Sequence, residues 1–243
     1  ITGFAAATYL RGVSFVQVPT TFLAAIDSSV GGKTGINLDA GKNLAGAFWQ
    51  PDLVYCDCAT FDTLPKKVLA DGVAEAIKYG VIADLLLFCM LKHEDLRSNF
   101  EEISLRCMTI KKEIVEKDEL ETGTRKILNF GHTVGHAIEK CSNYNISHGH
   151  AVAAGMAIVA RAADKKGFTK KPCAQQIKEI LEHYELPVTS DFTAEQLAAA
   201  AMNDKKRDGD IISVVVPLQL GSCDIKRLPA DELEDFIRTG LEV

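Results

Sequence analysis

Asn129-Phe130-Gly131-His132-Thr133-Val134-Gly135-His136, with Ser147-His148-Gly149-His150 shortly after it, holds four of the chain's six histidines. The apolar spacing reads as one helix, a short polar loop and the beginning of the next helix. Neutral imidazoles gathered in this way, with carboxylates elsewhere in the chain, suit a divalent metal. Two histidines at i, i+4 can equally share a helix face with nothing between them. Spacing alone leaves both readings open.

Working outward, the chain divides in two. Over residues 1–58 an apolar helical segment, Phe4 to Leu10, leads into Ser14-Phe15-Val16-Gln17-Val18, a β-branched and aromatic run ended by Pro19 and so a strand. Thr20-Thr21 and a short apolar helix follow, then the glycine-rich Asp27-Ser28-Ser29-Val30-Gly31-Gly32-Lys33-Thr34-Gly35, then a second strand at 52–57. Strands, a helix and glycine turns suggest the end of a Rossmann-like α/β nucleotide-binding domain. From 59 to 243 the pattern is almost wholly helical. Thr63-Leu64-Pro65 opens one helix, with Pro65 in its first turn. Others are expected at 71–82, 101–118, 126–140, 150–166, 172–184 and 194–203. A late strand at 211–216 has a possible partner in Cys223-Asp224-Ile225-Lys226. The expected fold class is therefore α/β plus all-α, the C-terminal part of an NAD-binding α/β domain (1–58) followed by a helical metal- and substrate-binding domain (59–243).

Composition narrows the function classes. The chain of 243 residues is 47% hydrophobic and 25% charged, which is ordinary for a globular protein. A net charge of −6 argues against nucleic acid or an anionic membrane as the main partner. No apolar run is long enough to span a bilayer. The seven cysteines form no even framework of disulfides. Cys56-Asp57-Cys58 reads as buried thiols rather than a ligand pair, and a reducing, cytoplasmic setting is expected. Ile1-Thr2-Gly3-Phe4 has no initiator Met and reads as the interior of a longer protein.

Two further features bear chemistry. Gly32-Lys33-Thr34 looks like the end of a phosphate-binding loop, but Asp27 stands where that motif needs glycine, so a Walker-type ATPase does not fit. Gly31, Gly32 and Gly35 around a lysine still offer backbone amides and a cation to an anion; a plain glycine turn is the alternative. In Asp71-Gly72-Val73-Ala74-Glu75-Ala76-Ile77-Lys78-Tyr79-Gly80, Glu75 lies among small and apolar residues. A carboxylate there needs a partner, and either Lys78 at i+3 or a metal could supply it.

Taken together, Asp27 to Asn37, Gly41-Lys42-Asn43-Leu44, Ala74 to Gly80, Leu128 to Glu139 and His148-Gly149 resemble 3-dehydroquinate synthase, in order and over essentially the whole chain. The resemblance implies a zinc or cobalt ion held by Glu75, His132 and His148, with His136 beside the substrate's phosphate. It implies a sugar-acid phosphate, 3-deoxy-D-arabino-heptulosonate 7-phosphate, as the small-molecule substrate. Arg11, Lys33, Asn43, Asn129, His136 and one of Lys205 and Lys206 match phosphate-contacting positions. Lys78, Lys111 and Arg125 match those that meet the carboxylate and ring hydroxyls. Thr20, Thr21, Asp27, Lys42, Thr63 and Leu64 match NAD contacts. The reaction so implied proceeds by metal-assisted transient oxidation with NAD, phosphate elimination, re-reduction and aldol cyclisation. A homodimer is implied too, with Arg11 reaching the neighbouring subunit's site, and about one mononucleotide-binding half is expected to precede Ile1. One residue departs from the pattern: His150 stands where the family commonly has glutamate, and it is expected not to be a ligand. A sister sugar-phosphate cyclase, a metal-dependent glycerol or alcohol dehydrogenase, and a catalytically inert fragment remain as alternative readings.

Overall fold

A computed structural model describes residues 1–38, 41–121, 123–204 and 210–242. The chain opens with α1 (Thr2–Thr8) and a 3-10 turn, Tyr9–Arg11, then β1 (Val16–Gln17). A short helical stretch ends in a π turn at Ala24–Ser28. Gly31 and Gly32 then take positive φ, 106° and 67°, and turn the backbone into β2 (Lys33–Leu38). This strand pairs antiparallel with β3 (Gly41–Phe48), Lys33 opposite Phe48. The sequence reading placed no strand between the glycine-rich segment and 52–57. The alternation there is obscured because small and polar residues occupy much of both strands. β4 (Leu53–Val54) runs parallel to β1, with Val16 opposite Leu53. Asp57 then caps a 3-10 segment, Cys58–Thr63, by accepting from the Ala59 amide at 3.0 Å.

The helical body follows. α2 (Lys66–Ile82) is a single helix where the sequence suggested two, and everything from Gly72 to Ile82 is buried. The sequence reading passed over α3 (Leu85–His93), whose unbroken apolar run hides its period, although Asp84 caps it at 3.0 Å. α4 (Phe100–Lys117) precedes a 3-10 segment, Thr124–Asn129. Gly131, at φ 78°, then stops the backbone and restarts it as α5 (His132–Cys141). The single helix expected over 126–140 is therefore broken. α6 (His148–Lys165) starts two residues earlier than expected. α7 (Ala174–His183) and α8 (Ala194–Asp204) fall where periodicity places them. β5 (Ile211–Gln219) and β6 (Ser222–Pro229) form the anticipated antiparallel pair, and α9 (Leu233–Leu241), missed in the sequence, closes the chain. The result is an α/β piece followed by a mostly helical body. No helix among the described residues is long and apolar enough to cross a membrane.

α6 runs through the centre of the body, buried from Ala151 to Ala160. Its small residues let neighbouring backbones approach closely. A Cβ on Gly155 would lie 2.2 Å from the Gly131 carbonyl oxygen, so α5 and α6 meet backbone to backbone next to the helix break. Gly155→Ala should therefore lower stability by about 1–3 kcal/mol, the usual cost of overpacking. A denaturant midpoint unchanged from the parent chain would contradict this contact.

Candidate functional site

The site begins with a carboxylate that α2 carries into the interior. Glu75 is 1% exposed, and neither of its oxygens receives a hydrogen bond of good geometry from the described residues. Lys78 Nζ lies 2.5 Å from Oε2 on the same helix face. Burial would push the Glu75 carboxyl up, but Lys78 and then His132 hold it well below its usual range. Lys78 is likewise buried; burial pulls it down, while Glu75 and Asp27 more than reverse that and raise it.

Two imidazoles face the other oxygen. His132, the first residue of α5, has Nε2 at 3.4 Å from Glu75 Oε1, and His148, the first residue of α6, has Nε2 at 3.3 Å. The opposite nitrogens are occupied. His132 Nδ1 is 3.0 Å from the Phe130 carbonyl and His148 Nδ1 is 3.3 Å from Glu139 Oε2. A carbonyl can only accept, so Nδ1–H of His132 donates and its Nε2 keeps a lone pair. Backbone or carboxylate partners on the far nitrogen are the usual way of aiming a metal-binding imidazole. Burial pulls His148 down, yet Glu139 and Glu75 together lift it to about 9. Surroundings that favour a proton so strongly also favour a cation. Burial keeps His132 below its ordinary value, in the neutral form a metal needs. Glu75, His132 and His148 offer ligand atoms all within 4.8 Å of one another. The Oε1 left to the two imidazoles, their aimed nitrogens and the N₂O donor set fit zinc or cobalt. His136, Glu139 and His148 form a second such group among the described residues.

A knot of charge adjoins this cluster. Asp27 Oδ1 accepts from the Tyr79 hydroxyl at 2.6 Å and lies 3.0 Å from Lys111 Nζ and 3.7 Å from Lys78 Nζ. Lys111 also donates to the Asp27 carbonyl at 2.6 Å. Burial raises Asp27, but Lys111 and Lys78 outweigh it and hold the carboxyl far below its usual range. Burial dominates at Lys111 and lowers it.

Two further cations, Arg125 and Lys33, are each held by partners of their own. Arg125, 2% exposed, donates Nη2–H to the Gly31 carbonyl at 3.0 Å and Nη1–H to that of Glu119. Glu121 joins Lys33 to Asn129: Lys33 Nζ donates to one oxygen and Asn129 Nδ2 to the other at 2.8 Å. A cavity of about 280 Å³ is lined by Asp27, Asn43, His136, Glu139, Tyr144 and His148. His136 is half-buried, with its ring 5.4 Å from that of His132.

The folded chain thus brings together Asp27, Lys78, Lys111, Glu75, His132, His148 and His136, and places Lys33, Asn129 and Arg125 about Glu121 and Gly31. Arg11 is exposed on the turn after α1, at φ 68°. Thr20, Thr21, Thr63 and Leu64 lie in segments following β1 and β4 and join none of the cluster's hydrogen bonds among the described residues; Thr21 accepts from the Ala24 amide and Thr63 donates to the Thr60 carbonyl. Lys205 and Lys206 lie outside the described residues, and of Lys42 only the backbone, in β3, is described. Sequence reasoning missed Glu121, Glu139, Tyr79 and Asp71 as site residues. Glu139 could have been found: it stands seven residues after His132, on the helix face that carries both α5 histidines.

Comparison with known proteins places the whole chain beside one family. The model described as 3-dehydroquinate synthase N-terminal matches residues 1–71, and that described as 3-dehydroquinate synthase C-terminal matches 72–207. The chain is similar to 3-dehydroquinate synthase of Enterococcus faecalis, 42% identical over 243 residues, covering 98% of this chain and 68% of that protein. Among solved structures it is similar to 2-epi-5-epi-valiolone synthase from Streptomyces hygroscopicus subsp. jinggangensis with NAD+ and Zn2+ bound, at TM-score 0.89 and 26% identity over 99% of this chain and 70% of that one. It is also similar to 2-deoxy-scyllo-inosose synthase complexed with carbaglucose-6-phosphate, NAD+ and Co2+, at TM-score 0.83 and 26% identity, covering 98% and 70% of the two chains.

The charge knot gives a pH prediction. A carboxylate depressed on folding contributes stability that is present above its unfolded value and lost as pH falls through the lower folded value. Asp27 is such a group, with Lys111 its closest cation. Lys111→Met should raise the acid-unfolding midpoint of the metal-free chain by roughly 0.5 pH unit. A midpoint that stays put, followed by circular dichroism, would contradict the assignment.

Proposed function

We propose that this chain, which belongs to the 3-dehydroquinate synthase family, converts 3-deoxy-D-arabino-heptulosonate 7-phosphate to 3-dehydroquinate and inorganic phosphate. The observation that carries the reading is the buried Glu75 carboxylate, faced at 3.3 and 3.4 Å by two imidazole nitrogens and flanked by buried cations. Glu75, His132 and His148 would hold zinc or cobalt, which when bound supplies a Lewis acid for a substrate hydroxyl. Bound NAD supplies a hydride acceptor that is regenerated within the cycle.

The nucleotide fits the topology. β1 and β4 run parallel, and the segments beyond their carboxyl ends carry Thr20, Thr21, Thr63 and Leu64. That is where open α/β sheets take nucleotides. Asp27 and Lys42 complete the set, so the cofactor draws on residues 1–58 together with Thr63 and Leu64, and the metal on 59–243.

The remaining residues handle the substrate's charge. Lys78, Lys111 and Arg125 supply fixed positive charge for its carboxylate in a chain that is acidic overall. Lys33, Asn43, Asn129 and His136 receive the phosphate, joined by Arg11 and by Lys205 or Lys206. Glu121 lies between Lys33 and Asn129, which outweigh its burial and hold the carboxylate ionised, and it keeps both side chains in place beside the phosphate position. His136 lines the cavity and can exchange a proton with substrate oxygen. His132 and His148 each stand at a helix start, where free backbone amides favour negative charge. We propose a homodimer in the cytoplasm, with Arg11 serving the neighbouring copy.

The test is phosphate release from the heptulosonate phosphate by the full chain with NAD and cobalt or zinc. Release without net NADH is expected, and His136→Ala should slow it by about 10²–10⁴-fold. Net NADH from simple alcohols would favour a dehydrogenase. Turnover of a sugar phosphate lacking the carboxylate, in preference, would favour a sister cyclase. No release by a chain holding both metal and NAD would contradict the proposal.

A further inference from the structure

The reading of Glu75, His132 and His148 as a metal centre leaves open what fixes α2 and α6, the two helices that carry Glu75 and His148. Asp71 lies on α2 one turn before Glu75. Its Oδ1 accepts from the Ser147 hydroxyl at 2.8 Å, from the His150 amide at 3.0 Å and from His150 Nδ1 at 2.7 Å. Ser147 is the residue that should cap α6, yet its side chain makes no cap bond, and Asp71 takes the third-position amide from another helix instead. Gly149 brings the helices together. A Cβ there would lie 2.3 Å from the Asp71 Cα, so the first turn of α6 rests directly on the α2 backbone. His148 is bracketed on both sides by residues bound to one carboxylate.

His150 itself stands apart from the metal donors. It belongs to neither group of possible ligands, and it lines a surface cavity with Lys67, Glu185 and Pro187. A glutamate at this position would set a second carboxylate against Asp71, whereas a histidine supplies a donor. Asp71 and His150 are complementary in this chain.

We propose that Asp71, with Ser147 and His150, is a cross-helix clamp that fixes α6 on α2 and thereby the separation of Glu75 and His148, making it a positioning element for metal affinity. This rests on the metal-centre reading given above. Substitutions at second-layer partners of metal ligands typically cost 10–100-fold in affinity. The clamp acts through backbone placement, so the same range is expected here.

Cobalt binding to the full chain, read by its visible absorption in competition with a chelator well below the unfolding temperature, tests the clamp. Asp71→Ala should weaken binding about 10–100-fold, and Asp71→Asn, which keeps an acceptor for the amide, by less. His150→Glu should also weaken binding, and adding Asp71→Asn should recover most of the loss because the amide can donate to the new carboxylate. A purely structural role would lower the unfolding temperature of the metal-free chain and leave cobalt affinity unchanged; that result would overturn the clamp. So would failure of the double variant to recover, and this arm decides alone if Asp71→Ala does not fold. A parent chain that binds no cobalt, or a His148→Ala chain that still binds it, would overturn the metal reading and the clamp together.

Discussion

The burial of the Glu75 carboxylate is the constraint from which the rest of the site follows. Placing that charge in an apolar helix costs several kcal/mol unless it is answered from close by. Lys78 answers one oxygen from the same helix face, and none of the described residues supplies a good hydrogen bond to the other. Instead two helices begin beside it, each with a histidine as its first residue. For α5 to begin there, the backbone must break at Gly131, and for α6 to lie alongside, Gly155 must have no side chain. The helix break, the small residues of α6 and the aimed imidazoles are parts of one arrangement around a buried negative charge.

Asp27 extends that arrangement toward the α/β segment. It comes from the π turn before the β2–β3 hairpin, yet its partners Lys78, Tyr79 and Lys111 belong to α2 and α4. Alternating charges from Glu75 through Lys78 and Asp27 to Lys111 allow each buried group to be neutralised by a neighbour. The same run joins the metal cluster to the segments that follow β1 and β4. Opposite charges are thus paired in the interior of a chain whose net charge is −6.

Periodicity was enough to locate α4, α7, α8 and the β5–β6 pair, because each presents one apolar face or an alternating one. It could not resolve the helix break at Gly131, since the apolar spacing continues across it, nor the β2–β3 hairpin, whose strands carry few large apolar side chains. The Glu75–Lys78 pair was legible because both partners lie within one turn. Glu121 and Asp71 were not: Lys33 is 88 residues from Glu121, and Asp71 meets His150 79 residues away. Their neighbours are set by tertiary packing, and no local pattern in the sequence marks them. The metal set itself spans α2, α5 and α6, so it came from resemblance to a family and not from histidine spacing, which pointed equally to His136 and His150.

Anomalous scattering at the cobalt edge, from crystals of the full chain grown with cobalt, addresses the central claim most directly. The account predicts one strong peak bounded by a Glu75 oxygen and the Nε2 atoms of His132 and His148. A peak between His136, Glu139 and His148, a peak at His150, or no peak at all would contradict it.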